Sequence, residues 1–229
     1  QTLISRKDNI MYKIDFNNPI HIHFIGIGGI SMSGLAKILL SKGFTVSGSD
    51  AHSSALTDEL IGDGCIVSVP QSAGNITNDI DLVVYTAAIH PDNPEFKAAK
   101  EAGLPMLTRA ELLGQIMTIY KNAINIAGTH GKTTTTSMVS EILLAASMDP
   151  TISVGGILNS IGGNTRVGGD RYFVAEACEY TNSFLSFYPT IDVILNVKAD
   201  HLDFFKDIDD IRHSFKLFTE KLPKDGTLI

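Results

Sequence analysis

The stretch Asn125-Ile-Ala-Gly-Thr-His-Gly-Lys-Thr-Thr-Thr-Thr136 decides the fold. An apolar segment runs into glycines around a polar turn, and a lysine followed by hydroxyls opens a helical pattern. That order suits a nucleotide triphosphate. Backbone N–H groups and the helix N-terminus face the phosphates, the lysine adds a point charge, and the next hydroxyl can ligate Mg²⁺. The spacing departs from GxxxxGK because Ile126 stands where the first glycine would fall. The strand before it and the helix after it supply the context that the short motif needs. Gly128, Thr129, His130, Gly131, Lys132, Thr133 and Thr134 are therefore expected to contact ATP, with Lys132 toward the β- and γ-phosphates and Thr133 toward Mg²⁺.

Upstream, the chain reads as an earlier alternation of strands and helices. Strands are expected over 21–25, 45–49, 65–69, 82–85 and 105–107, and helices over 31–42, 55–61 and 95–102. This pattern predicts a parallel sheet covered on both faces, a Rossmann-like α/β unit over 20–108. A connecting helix is expected over 109–122. The alternation then restarts in a second α/β unit over 123–229 that carries the phosphate loop, with a helix over 133–146, further strands over 172–175, 193–197 and 227–229, and a helix over 208–222. Gly155 to Gly169 reads as a long glycine-rich loop. The chain ends at Leu228-Ile229 inside an expected core strand, so the second unit is expected to be incomplete. Met11 reads as a natural start, which makes 1–10, within an extension over 1–19, an expected addition.

Composition narrows the function classes. The 229 residues are 44% hydrophobic and 19% charged, enough to bury a sizeable core. A net charge of −7 without a basic run argues against a nucleic-acid surface. No apolar run approaches the roughly 20 residues of a membrane span, and the polar N-terminus lacks a signal-peptide core, so a cytoplasmic protein is expected. The two cysteines, Cys65 and Cys178, have no metal-binding spacing and read as buried thiols.

The first unit has a phosphate-type turn of its own. In Gly26-Ile-Gly-Gly-Ile-Ser-Met-Ser-Gly34 the first two glycines fit GxGxxG, but the third falls at Ser31. Asp50 closes the second strand, where an acid binds a ribose hydroxyl. A dinucleotide such as NAD and another diphosphate-containing nucleotide both remain open on these residues. In the second unit, Glu176 lies at the end of an apolar strand, where open α/β sheets place ligands; it reads equally as a magnesium carboxylate or a solvated acid. Asp200, His201 and Asp203 group at another strand end and form a metal or phosphate candidate.

Taken in order, His23–Gly34, Ser47–Asp50, Ala87–Glu95, Thr108–Glu111, Ala127–Thr136, Ala175-Glu176 and Ala199–Asp203 resemble the Mur ligases. The resemblance covers residues 20 to 229. It implies a three-domain enzyme whose first domain binds a UDP sugar and whose second is an ATPase, with a third domain absent from this chain. It implies ATP-dependent, ADP-forming amide synthesis in peptidoglycan precursor formation. L-alanine would be added to the lactyl carboxylate of UDP-N-acetylmuramate through an acyl phosphate. His130 also fits the branch that attaches a tripeptide to the same sugar nucleotide. By resemblance Lys132, Glu176 and His201 are the catalytic residues, and Thr133, Glu176 and His201 hold Mg²⁺. Gly28, Gly29, Ser31, Met32 and Ser33 would present backbone to the UDP diphosphate. Asp50, Thr86, Ala87, Ala88, Ile89 and Arg109 would surround the nucleotide and sugar. Glu179 receives no role, because the residues after Glu176 depart from the acidic pattern of relatives. The isolated chain is expected to bind the UDP sugar without turnover. An NAD-dependent dehydrogenase and a non-catalytic nucleotide-binding module are the alternatives from other classes, and the residues leave the oligomeric state open.

Overall fold

The computed structural model describes residues 11–229, and the reading of 1–10 as an addition lies outside the described residues. Two sheets form in succession. The first contains β1 (His21–Ile25), β2 (Thr45–Ser49), β3 (Ile66–Ser68), β4 (Leu82–Tyr85) and β5 (Met106–Thr108), all parallel, in the order β3-β2-β1-β4-β5. Helices α1 (Ile30–Ser41), α2 (Ala55–Gly62) and α3 (Pro94–Glu101) connect them. The chain leaves β1 toward one side of the sheet and returns on the other, so the ends of β1 and β4 flank the topological switch point. Ligands bind at such a crevice in open α/β sheets. The Gly26–Gly29 turn follows β1, and Thr86–Ile89 follows β4.

Helix α4 (Arg109–Met117) leads to the second sheet. It contains β6 (Asn122–Ala127), β7 (Thr151–Leu158), β8 (Gly163–Arg166), β9 (Tyr172–Ala177), β10 (Ile191–Ile194) and β11 (Thr227–Leu228), in the order β11-β10-β6-β9-β7-β8. All neighbours are parallel except β7 and β8. Helices α5 (Lys132–Ala145) and α6 (Ile208–Thr219) complete this part. Ile126, Val174 and Ile124 pack beneath Val139 and Leu143 of α5. That packing explains why an isoleucine stands at 126: the position is a fully buried strand residue, not part of the turn.

Three expectations change. The 155–169 segment is mostly sheet: Gly155 to Leu158 finish β7, and Gly163 to Arg166 form β8, paired antiparallel around Gly162 at φ +66°. Gly155 serves a close approach: a Cβ there would lie 2.7 Å from the Glu176 carboxylate. The strand expected over 193–197 stops at Ile194, because Asn196 turns its polar groups onto the phosphate loop instead of onto a neighbouring strand. The connecting helix expected over 109–122 ends at Met117. None of the described helices is long and apolar enough to cross a membrane.

The two parts meet at close range. A Cβ on Gly114 of α4 would lie 1.9 Å from the carbonyl oxygen of Ser186, so only glycine lets these backbones touch. A Cβ on Gly34 of α1 would lie 2.2 Å from Thr165 Oγ1 of β8, and Asn164 Nδ2 donates to the Ile30 carbonyl at 3.4 Å. The β7–β8 hairpin therefore clasps the N-terminal turn of α1.

Candidate functional site

Helix capping separates two helices from the rest. Ser54 caps α2, Asn93 caps α3, Thr108 caps α4 and Asp207 caps α6, each accepting first-turn N–H groups with its side chain. Helices α1 and α5 begin instead at Gly29 and Gly131, with no side-chain cap and no acidic residue in the first turn. An uncapped helix start leaves N–H groups unpaired and carries the positive end of the helix dipole, so it accepts an anion. At α1 these amides belong to Ile30, Ser31 and Met32, since Ser33 N already donates to the Gly29 carbonyl at 2.9 Å. At α5 they belong to Lys132, Thr133 and Thr134, since Thr135 N donates to the Gly131 carbonyl at 3.0 Å.

The phosphate loop is braced by the segment just past β10. Gly128 (φ +133°) and Gly131 (φ +89°) supply the left-handed geometry that a tight loop requires. Thr129 N donates to the Asn196 carbonyl at 3.0 Å, His130 N to Asn196 Oδ1 at 3.1 Å, and Asn196 Nδ2 returns a bond to the His130 carbonyl at 2.9 Å. Lys198 N donates to Thr129 Oγ1 at 2.9 Å. The amides of Thr129 and His130 thus hold the loop's shape, while those of the first helical turn face outward. Asn196 carried no motif, and only its position just past a strand end could have flagged it.

Lys132 Nζ donates to the carbonyls of Gly128 and Thr129 at 2.6 and 3.2 Å, and to Glu179 Oε2 at 2.9 Å. Glu179 was missed by sequence reasoning; its signal was its place three residues past Glu176 at the end of β9. The Thr133 hydroxyl donates to Glu176 Oε2 at 3.2 Å, and Gly155 N donates to Glu176 Oε1 at 2.6 Å. A hydroxyl beside a carboxylate, at the uncapped N-terminus of α5, suits a hard cation that takes oxygen ligands and keeps several waters. His201 packs against Tyr180 at 4.6 Å between ring centres, the rings tilted by 35°, and its backbone stands at φ +51°. Among the described residues no three of His, Cys, Asp or Glu converge on a metal position. A cation here would draw its remaining ligands from phosphate and water.

In the first sheet, Asp50 Oδ2 accepts Gly28 N at 2.9 Å and Oδ1 accepts Ala51 N at 2.8 Å. The acid braces the glycine turn, and Gly28 N is taken up by it. Met32 and Ser33 turn their side chains into the interior. Thr86 Oγ1 accepts Ala88 N at 3.2 Å, and Ile89 packs toward Gly26. Below the turn lies a buried polar cluster. Glu95 accepts from Ser49 Oγ, His23 Nε2 (3.4 Å), Ser72 N (3.1 Å) and Asn75 Nδ2 (2.6 Å). Burial pushes the Glu95 carboxyl up, but these hydrogen bonds outweigh it and hold it below its ordinary value.

Arg109 joins the two parts. Its Nη1 donates to Ser31 Oγ at 3.1 Å, and burial lowers its pKa. It has no carboxylate partner among the described residues. A cavity of about 280 Å³ is lined by Ile30, Ser31 and Arg109 from one side and Gly155, Glu176 and Cys178 from the other. A second, of about 500 Å³, runs from Ala87 and Arg109 to Tyr180 and Asn182. Cys178 borders both and is only half-buried, which corrects the expectation of two buried thiols; Cys65 alone is buried. It faces open space because β9 ends there, at the cleft.

One parallel and one mixed sheet, each feeding an uncapped helix through a glycine turn, define an α/β protein with two helix starts suited to anions. Residues 21–121 match the Mur ligase family catalytic domain, and residues 126–229 match the Mur ligase middle domain. A UDP-N-acetylmuramate–L-alanine ligase of Lachnospira eligens is 95% identical over 219 residues, covering 96% of this chain and 48% of that protein. The enzyme of the same name from Agathobacter rectalis is 68% identical over the same span. Among solved structures, UDP-N-acetylmuramate–alanine ligase from Thermotoga maritima is 34% identical with a TM-score of 0.77, covering 91% of this chain and 48% of that one. The UDP-N-acetylmuramate:L-alanyl-γ-D-glutamyl-meso-diaminopimelate ligase of Neisseria meningitides is 30% identical with a TM-score of 0.82, covering 92% and 71%. The chain belongs to the Mur ligase family. It spans about half the length of the alanine-adding relatives it matches.

Proposed function

We propose that this chain carries the sugar-nucleotide and ATP sites of a ligase that joins L-alanine to the lactyl carboxylate of UDP-N-acetylmuramate. One observation carries the reading: the two uncapped helix starts, with a cavity of about 280 Å³ in which Ile30, Ser31 and Arg109 face Glu176, the carboxylate that accepts from Thr133 of α5. The first-turn amides of α1 receive the UDP diphosphate, and Arg109 draws in the carboxylate end of the sugar. The first-turn amides of α5 and Lys132 receive the β- and γ-phosphates. Thr133 and Glu176 would hold Mg²⁺, which supplies neutralisation of phosphate charge. His201 and Asp50 keep supporting roles, Asp50 as brace of the glycine turn.

The chemistry needs two anions held in line and their charge offset. The lactyl carboxylate oxygen attacks the γ-phosphorus, the bond to ADP breaks, and an acyl phosphate forms. The amine of L-alanine attacks the acyl carbon, loses a proton and expels phosphate. Arg109 and Lys132 supply fixed positive charge on either side of the reacting oxygen. The division of labour follows the sheets: residues 20–108 bind the sugar nucleotide, and residues 123–229 bind ATP. The alanine-adding reaction is favoured over tripeptide addition by the 95% and 68% identities to alanine ligases, against 30% to the tripeptide ligase.

The test joins this chain to the segment by which its relatives are longer and follows phosphate release. Release is expected with ATP, UDP-N-acetylmuramate and L-alanine together, and not when either acceptor is omitted. Release that ignores the sugar nucleotide contradicts the proposal. Release that requires the tripeptide in place of L-alanine moves the chain to the other branch.

A further inference from the structure

The Glu179 carboxylate is buried beside the phosphate loop and takes no part in the proposed reaction. Its side chain is 2% exposed; Oε2 holds Lys132 Nζ at 2.9 Å, and Oε1 has no hydrogen-bond partner. Lys132 gives its three ammonium protons to Gly128, Thr129 and Glu179, which leaves none for a phosphate. The position of Glu179 is enforced by the backbone that follows. Thr181 and Asn182 stand at φ +55° and +58°, and Thr181 is β-branched. Asn182 Oδ1 accepts from Ser214 Oγ of α6, and Phe184 N donates to the Cys178 carbonyl at 3.2 Å. Strain of this kind persists where the surroundings over-determine it.

A nucleotide reaching the loop must take Lys132 from Glu179. A metal-free triphosphate then sets its own negative charge against two carboxylates, Glu176 and the stripped, buried Glu179. Removing the partner of a buried charge is strongly unfavourable. A divalent cation entering with the nucleotide offsets both. We propose that Glu179 is a positioning residue that latches Lys132 to the phosphate loop and makes nucleotide binding conditional on a divalent cation. This rests on the reading of Gly128–Thr134 as the ATP site.

The test is calorimetric titration of ATP into the 229-residue chain, in EDTA and in excess Mg²⁺, with Glu179→Gln and Glu179→Met beside the parent. The Kd in EDTA divided by the Kd in Mg²⁺ is the readout. It is expected to fall about tenfold or more in either variant, through tighter metal-free binding, while the Mg²⁺ value stays within about threefold; tenfold corresponds to about 1.4 kcal/mol. A purely structural role would weaken both constants together. An unchanged ratio in a variant that still binds MgATP overturns the latch and leaves the ATP site standing. A parent chain that binds no MgATP overturns the ATP-site reading, and the latch with it. If neither variant gives a cooperative melt, Glu179 is a folding residue and the inference fails.

Discussion

Asp50 Oδ2 accepts the backbone N–H of Gly28 at 2.9 Å, so the acid at the end of β2 braces the glycine turn beside the switch point. Asp50→Ala leaves that amide without its charged acceptor and loosens the entry to α1. The expected loss is about 1–2 kcal/mol of stability and at least about tenfold in UDP-N-acetylmuramate affinity, read by thermal melting and calorimetry. Asp50→Asn keeps an acceptor oxygen and should recover most of the stability. An Asp50→Ala chain with parental stability would show that the brace carries no load.

Arg109 separates binding from folding. A half-buried guanidinium without a carboxylate partner among the described residues costs desolvation. Arg109→Ala should therefore leave the melting temperature unchanged or higher. Sugar-nucleotide affinity should drop by about tenfold or more, since a desolvated cation facing an anion is lost. Arg109→Lys should not restore it, because a point charge lacks the planar fork. Parental affinity in Arg109→Ala would remove Arg109 from the site.

The contact between the two parts predicts a sharp contrast between glycines. Gly114→Ala drives a methyl group into the Ser186 carbonyl, a backbone atom that cannot step aside. The expected cost is about 2–3 kcal/mol. Gly62→Ala, at the end of α2 with open space around it, should be neutral or stabilise by up to about 1 kcal/mol. Equal melting temperatures for the two variants would mean that the close approach is not real.

Asp192 on β10 is fully buried, and neither carboxyl oxygen has a partner. Burial raises its pKa from 3.8 to about 7. The folded state therefore keeps a proton that the unfolded chain releases, and stability falls as pH rises from about 4 to 7. Asn125 stands beside it on β6, and its Oδ1 also lacks a partner. Asp192→Asn supplies a donor for that oxygen at every pH. It should flatten the slope between pH 4 and 7 and add on the order of 2–3 kcal/mol at pH 8. A slope that survives the substitution would assign it to another group.

Much of this was legible because both glycine turns sit between an apolar strand and a helical pattern, which leaves little freedom in the reading. The spans of β1, β2 and β4 and, to within one residue, the starts of α1 and α5 followed from that pattern. The 155–169 hairpin did not, because glycine there marks a close approach to Glu176 and not a free loop, and sequence alone does not distinguish the two. Asn196 and Glu179 were illegible for a related reason. Each acts on a loop more than forty residues away in the chain, and only the sheet order β10-β6-β9 brings them to it. The capping contrast was half-readable: Ser54, Asn93, Thr108 and Asp207 are recognisable caps, and the missing caps at Gly29 and Gly131 are visible only against them.

The central claim is that the carboxylate held near Arg109 attacks the phosphate held near Lys132. UDP-N-acetylmuramate labelled with ¹⁸O in its lactyl carboxylate tests it directly, with ATP, L-alanine and the full-length protein. Mass spectrometry of the released phosphate should find one ¹⁸O atom transferred per amide formed. Amide formation with unlabelled phosphate would contradict the account, because no acyl phosphate would then join the two sites.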